Sequence, residues 1–254
     1  MNGLLIYSKT EAQRNRFAVE KFKKLLGVRL VFEEDIDLSA PADYVINRTN
    51  NAEIARAFEA RGVRVFNPAN LTELANNKQK CYEFMQANGV EIMPINRTAP
   101  PLVKKPVGGK GGSGVELITE GEITVEQGFV YQKPASDLGR DLRVWLIGGE
   151  IIAAILRVSK TDFRSNFCLG GEAVPYSLSA DEAALVRRIA GLVDYDYIGI
   201  DFVFNRGKIV FNEIEDSVGA RMVYEKTEID IIALYCDYIK KVLNNDKNCS
   251  FWQS

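Results

Sequence analysis

Three carboxylates in one predicted hairpin are the residues of this chain best spaced to do chemistry. Asp201 sits in the apolar stretch 198–204, and Glu213 and Glu215 sit in the next, 209–215. Strand residues two apart share a face, so the two glutamates point the same way. The intervening Asn205-Arg206-Gly207 predicts a three-residue loop with glycine in the left-handed region. That register puts Asp201 on the face of Glu213, one diagonal step away. Carboxylates gathered on an apolar-flanked patch repel one another and are costly to bury unpaired. A hard divalent cation resolves that conflict, and carboxylate oxygens with substrate phosphates are how Mg²⁺ is usually held. A one-residue change of register would send Asp201 to the opposite face and leave an ordinary solvated strand.

A second feature is the run Gly108, Gly109, Lys110, Gly111, Gly112, Ser113, Gly114. Glycines let a backbone approach a phosphate chain and aim N–H groups at it. The run contains GxGxxG, but a dinucleotide fold requires a helix afterwards, whereas residues 115–119 read as a strand. A P-loop requires Ser or Thr after its lysine, and Lys110 is followed by Gly111. A protein kinase carries its lysine after the loop and needs a His-Arg-Asp run; here Lys105 precedes the loop. The competing reading is a flexible hairpin tip.

Histidine is absent from the 254 residues. That removes Ser-His-Asp and Cys-His nucleophiles and HExxH zinc sites. Cys81, Cys168, Cys236 and Cys249 show no CxxC spacing and read as free thiols of a reducing compartment. Net charge is −2, which gives no basic footprint for nucleic acid. No apolar run approaches a membrane span, and no signal-peptide pattern opens the chain. The expectation is a cytoplasmic enzyme with neither membrane nor nucleic-acid partner.

The elements that must position these residues fall into two patterns. Residues 3–66 alternate strand and helix: strands at 4–7, 28–32, 44–47 and 63–66, one helix over 11–26 stopped by Gly27, and another capped near Asn51 and ended by Gly62. This predicts a small parallel sheet, without the glycine fingerprint of a dinucleotide site. After a helix over 77–88 the pattern becomes strand-rich. Gly148-Gly149 marks a two-residue hairpin, and Ser179-Ala180-Asp181-Glu182 a capping box. A closing amphipathic helix spans 229–243. The fold class expected is α/β plus α+β, with units 1–69, 70–133 and 134–254.

Taken in order, these segments resemble the ATP-grasp superfamily, and within it the RimK-type carboxylate–amine ligases. The likeness rests on Asn77-Lys78 opening a helix, the stretch ending at Pro94, and Pro101 to Pro106 before the glycine run. It continues through Asp141-Leu142-Arg143-Val144 with its hairpin, Asp162 to Asn166 with Gly170-Gly171, Gly199-Ile200-Asp201 and Asn212-Glu213-Ile214-Glu215. The resemblance implies a pre-ATP-grasp domain over 1–69, a small lobe with the glycine loop over 70–133 and a large lobe with the metal site over 134–254, the two lobes clasping ATP. It implies that Lys78 and Lys105 contact ATP phosphates, that Gly108 to Gly114 cover them, and that Gln132 and Lys133 read adenine at the hinge. Arg143, Arg157, Arg164 and Asn166 would line the phosphoryl and acyl side, and Arg48 and Arg221 would face substrate. Asp201, Glu213 and Glu215 would bind one or two Mg²⁺, with Mn²⁺ as a substitute. Glu215 stands where the family usually has asparagine, and Gln132 where a hinge acid is expected.

The implied reaction joins a small-molecule or peptide carboxylate to an amine through an acyl phosphate, consuming ATP. The rivals are a kinase of the same fold acting on a hydroxyl and a non-catalytic ATP-binding module. The likeness also leaves room for a homo-oligomer.

Overall fold

The structure is a computed structural model that describes residues 1–109, 112–159 and 172–250, the side chains of 246–250 excepted. Four apolar stretches, β1 (Gly3–Tyr7), β2 (Arg29–Phe32), β3 (Tyr44–Asn47) and β4 (Arg64–Phe66), form a parallel sheet in the order β2-β1-β3-β4. β1 and β3 are buried along their whole length, which is why their sequences run apolar without alternation. The expected single helix over 11–26 is two, α1 (Lys9–Arg14) and α2 (Arg16–Leu26). Asn15 breaks it: its side-chain amide donates to the Glu11 carbonyl at 2.9 Å, an alternative to helix continuation open to short polar side chains. Gly27 closes α2 at φ 67°, and α3 (Ala52–Glu59) is capped by the Asn51 side chain on the Glu53 N–H.

Helix α4 (Ala69–Ala75), which the sequence reading did not foresee, follows Pro68 and leads into α5 (Lys78–Ala87). The Asn77 side chain caps α5 by accepting from the Lys80 N–H at 3.0 Å. Beyond it β5 (Leu102–Pro106), β6 (Glu116–Ile118) and β7 (Phe129–Gln132) make an antiparallel sheet ordered β6-β5-β7. The largest sheet is β10-β9-β8-β11-β12, built from β8 (Asp137–Ile147), β9 (Glu150–Val158), β10 (Glu172–Pro175), β11 (Tyr197–Asn205) and β12 (Lys208–Glu215). Its pairings are all antiparallel. Gly148-Gly149 turns β8 into β9 with Ile147 facing Glu150; a Cβ on Gly148 would lie 2.3 Å from the Tyr238 ring, so only glycine fits. The capping box of α6 (Ala180–Ala190) is present in full.

Besides the cluster of Leu4, Ile6, Val45, Ile54 and Phe58 between the parallel sheet and α3, two larger cores organise the chain. One joins the parallel sheet and α2 (Phe22, Ile46, Phe66) to Trp145, Tyr197 and the last helix α8 (Ile231–Ser250) through Tyr235 and Ile239. The other packs Tyr82 and Met85 of α5 against Leu142, Ile200, Phe202 and Phe211 of the large sheet. Buried Cys81 and Cys236 are free thiols. Among the described residues no helix is long and apolar enough to cross a membrane.

Candidate active site

The acidic hairpin reaches its geometry by a different route from the one its sequence suggests. The turn holds two residues, Arg206 and Gly207, both at positive φ (54° and 76°), with Asn205 facing Lys208. Carried on without a break, that register would set Asp201 opposite Asn212 and turn Glu213 to the other face. A β-bulge intervenes: Phe202 faces Phe211, Asp201 faces Glu213, and Gly199 faces Glu215, leaving Asn212 as the extra residue. The expectation of a three-residue loop is therefore corrected, while the convergence of the acids stands. A ligand oxygen from each of Asp201, Glu213 and Glu215 lies within 4.8 Å of the others.

Their charges do not stand alone. Arg143, on neighbouring β8, grips Asp201 through Nε and Nη2, both at 2.6 Å, and Nη2 also reaches Glu215 at 2.8 Å. Arg157 on β9 pairs with Asp141 and donates to Asp201 at 2.9 Å. Lys78 lies 3.3 Å from Glu213. Burial by itself would raise the Asp201 carboxyl, but the two guanidiniums overrule it and hold it at about 2. Burial raises Glu213; Glu215 and Asp201 add to that rise, while Lys78 and Lys105 oppose it. The like-charge conflict assigned to a cation from sequence is thus already offset by Arg143, Arg157 and Lys78. Three hard oxygen donors this close still fit a divalent ion.

Lys78 and Lys105 face this hairpin across a cleft of about 920 Å³, counting its open mouth. Lys78 is the first residue of α5, and its ammonium donates to the Gly109 carbonyl at 2.9 Å. Gly109, Gly112 and Gly114 adopt φ of 118°, 73° and 69°, conformations that few other residues take. Gly108, Gly109, Gly112 and Ser113 line the cleft, with Met93, Val103, Pro134, Ala135 and Val203 supplying its apolar part. Lys105, on β5, donates to the Gln132 Oε1 at 2.7 Å, the Asn212 Oδ1 at 2.8 Å and the Tyr82 hydroxyl at 3.2 Å. Burial lowers its ammonium to about 8; Glu213 and Asp201 work against the fall and Lys78 with it.

Gln132 lines the cleft, its Oε1 accepting from Lys105 at 2.7 Å and its Nε2 donating to the Met93 carbonyl at 3.1 Å. Lys133 borders the cleft, with its own N–H held by the Pro94 carbonyl. Arg48 is buried rather than facing the cleft; it donates to the Val218 carbonyl at 2.5 Å and lies over the Tyr197 ring at 5.3 Å. Arg157 is 4% exposed and fully engaged with acids. Arg221 opens the short helix α7 (Arg221–Lys226) on the surface, outside the lining of the cleft. Lys110, Gly111, Arg164 and Asn166 lie outside the described residues. Asn212 and Asp141 stand in motifs quoted from the sequence without a role of their own, and Tyr82 is a site residue with no such signal.

A glycine-rich loop and two lysines facing an acidic antiparallel hairpin, with a parallel sheet ahead of them, define an ATP-grasp fold. Residues 72–239 match the model of the RimK-like ATP-grasp domain, and the chain belongs to that family. It is 26% identical over 251 residues to the uncharacterized protein MG011 of Mycoplasma genitalium, covering 88% of this chain and 86% of that one. It is 27% identical over 215 residues to a probable alpha-L-glutamate ligase of Maridesulfovibrio salexigens, covering 74% of this chain and 71% of that one. The ATP-grasp ligase PsnB, solved with minimal precursor, Mg and ADP, shares the fold at a TM-score of 0.69 and 15% identity, covering 95% of this chain and 97% of that one. The expected fold class and RimK-type membership are borne out.

Proposed function

We propose that the chain is an ATP-dependent carboxylate–amine ligase. The observation that carries this reading is the cleft in which Lys78, Lys105 and the glycine loop confront Asp201 and Glu213. The two lysines offer positive charge to a polyphosphate beside the acids, and the apolar residues Met93, Val103, Ala135 and Val203 suit a base. Asp201, Glu213 and Glu215 would hold Mg²⁺, which when bound offsets phosphate charge. Among this chain's own residues, Lys78 and Lys105 bind the phosphates, and Lys78 fixes the loop through Gly109. Arg143 holds Asp201 and Glu215 in place, and the loop excludes water from the reacting groups. A substrate carboxylate oxygen bonds to the γ-phosphorus as its bond to the ADP oxygen breaks. The amine then bonds to the acyl carbon as the carbon's bond to the phosphate-bearing oxygen breaks, and inorganic phosphate leaves with that former carboxylate oxygen and takes up the proton the nitrogen loses. Positioning and charge account for the catalysis, in keeping with a chain that has no histidine. The ligase names of relatives support the reading.

The test is a screen of amino acids and short peptides for amine-dependent release of both ADP and phosphate, with mass spectrometry of the product. A stable phosphoester and no free phosphate would make it a kinase. ATP binding without turnover across the screen would make it a binding module.

A further inference from the structure

The ammonium of Lys105 has three N–H donors and meets three acceptors, the amide oxygens of Gln132 and Asn212 and the hydroxyl of Tyr82. None carries a charge at neutral pH. This contrasts with the neighbouring cations Lys78, Arg143 and Arg157, each in contact with a carboxylate. Gln132 is 3% exposed, and its Nε2 is tied to the Met93 carbonyl, which fixes its oxygen toward the lysine. Asn212 reaches Lys105 because of the bulge in β12. A hairpin lacking that residue would pair Asp201 with Glu213 just as well, since Phe202 would still face Phe211 and the next pair would still be the acids. The extra residue is therefore not needed to gather the acids. What it adds is an amide presented to Lys105, and re-aiming a side chain beside a site is a recognised use of bulges.

We propose that Gln132 and Asn212 are positioning residues that hold Lys105 through neutral acceptors, leaving its charge available to the phosphates of a nucleotide. A carboxylate at either place would form a charge-assisted pair with the ammonium, and an incoming phosphate would have to compete with it. The geometry would change little, because Glu and Asp match the two amides in shape. The proposal rests on the nucleotide reading of the cleft.

The experiment is calorimetric titration of ATP with Mg²⁺, and separately of adenosine, into the wild-type protein, Gln132→Glu, Asn212→Asp and Gln132→Met. Each carboxylate variant should weaken ATP about tenfold or more while leaving adenosine affinity unchanged. Gln132→Met removes the acceptor without adding charge and should weaken ATP less than Gln132→Glu. Unchanged or tighter ATP binding in both carboxylate variants overturns the proposal. So does an equal loss for ATP and adenosine, which would place Gln132 on the base, or an equal loss in Gln132→Met and Gln132→Glu. A wild-type protein that binds no ATP overturns the nucleotide reading itself, a result distinct from any of these.

Discussion

The two walls of the cleft treat charge in opposite ways. On the large sheet, Asp201 and Glu215 are locked to Arg143 and Arg157 in contacts of 2.6–2.9 Å. On the small sheet, Lys105 is wrapped in amides and a hydroxyl. The first arrangement fixes geometry, because a charge already paired changes little when a ligand arrives. The second keeps a cation in a desolvated place with no anion among the described residues in contact, where an anionic ligand gains most. One wall is a frame and the other is a receptor.

That contrast can be broken from the frame side first. Arg157→Ala leaves Asp201 and Asp141 partly uncompensated in a buried setting and should destabilise the fold by about 3–5 kcal/mol, read by chemical denaturation. A loss under about 1 kcal/mol would show that the frame is not structural. Glu213, on the large sheet, reaches Lys78 at 3.3 Å, and Glu213→Gln should cut Mg²⁺-dependent turnover about a hundredfold with an unchanged far-UV spectrum; full turnover would remove it from the site. On the receptor side, Lys105→Ala should weaken ATP about 10- to 100-fold, the value of a charge-assisted contact, with little change in stability. An unaltered calorimetric affinity would end its assignment.

The pH dependence should separate the walls as well. Asp201 has a folded value of about 2, below its ordinary 3.8. Its stabilisation, about 2 kcal/mol, is complete above pH 3.8 and lost as pH falls from there toward 2. Asp201→Asn should flatten the acid limb of the stability curve in that window. The smallest effect belongs to Lys105: with its free-state value near 8, ATP binding at pH 8–9 should take up a fraction of a proton. Binding enthalpy should then vary with the ionisation enthalpy of the buffer, and Lys105→Met should abolish the variation.

How far these walls were legible in the sequence depends on distance along the chain. Local rules found Gly27, the turn at Gly148-Gly149 and the caps at Asn51, Asn77 and Ser179, because each is settled by a few neighbouring residues. They placed the three acids on one face, although the supposed loop was a residue too long and a bulge made up the difference. They did not find that Arg48 is turned inward to the Val218 carbonyl, or that Gln132 serves a lysine 27 residues earlier. Those outcomes depend on which strands become neighbours, and no local pattern contains that. Helix α4 was missed although Pro68 precedes it, because its seven residues are too few for a clear period.

The shared core has a consequence for how the molecule comes into being on the ribosome. Phe22 of α2 meets Tyr235 of α8 edge-on at 6.0 Å, and Val19, Ile46 and Phe66 belong to the same buried cluster as Ile239. A segment made early is therefore roofed by one that follows it by about 200 residues. Until α8 emerges, the parallel sheet carries an uncovered apolar flank, and a chain stopped before Ile231 would keep it. Translation arrest or late truncation should thus yield a sticky nascent product, even though every residue of the cleft has by then been made.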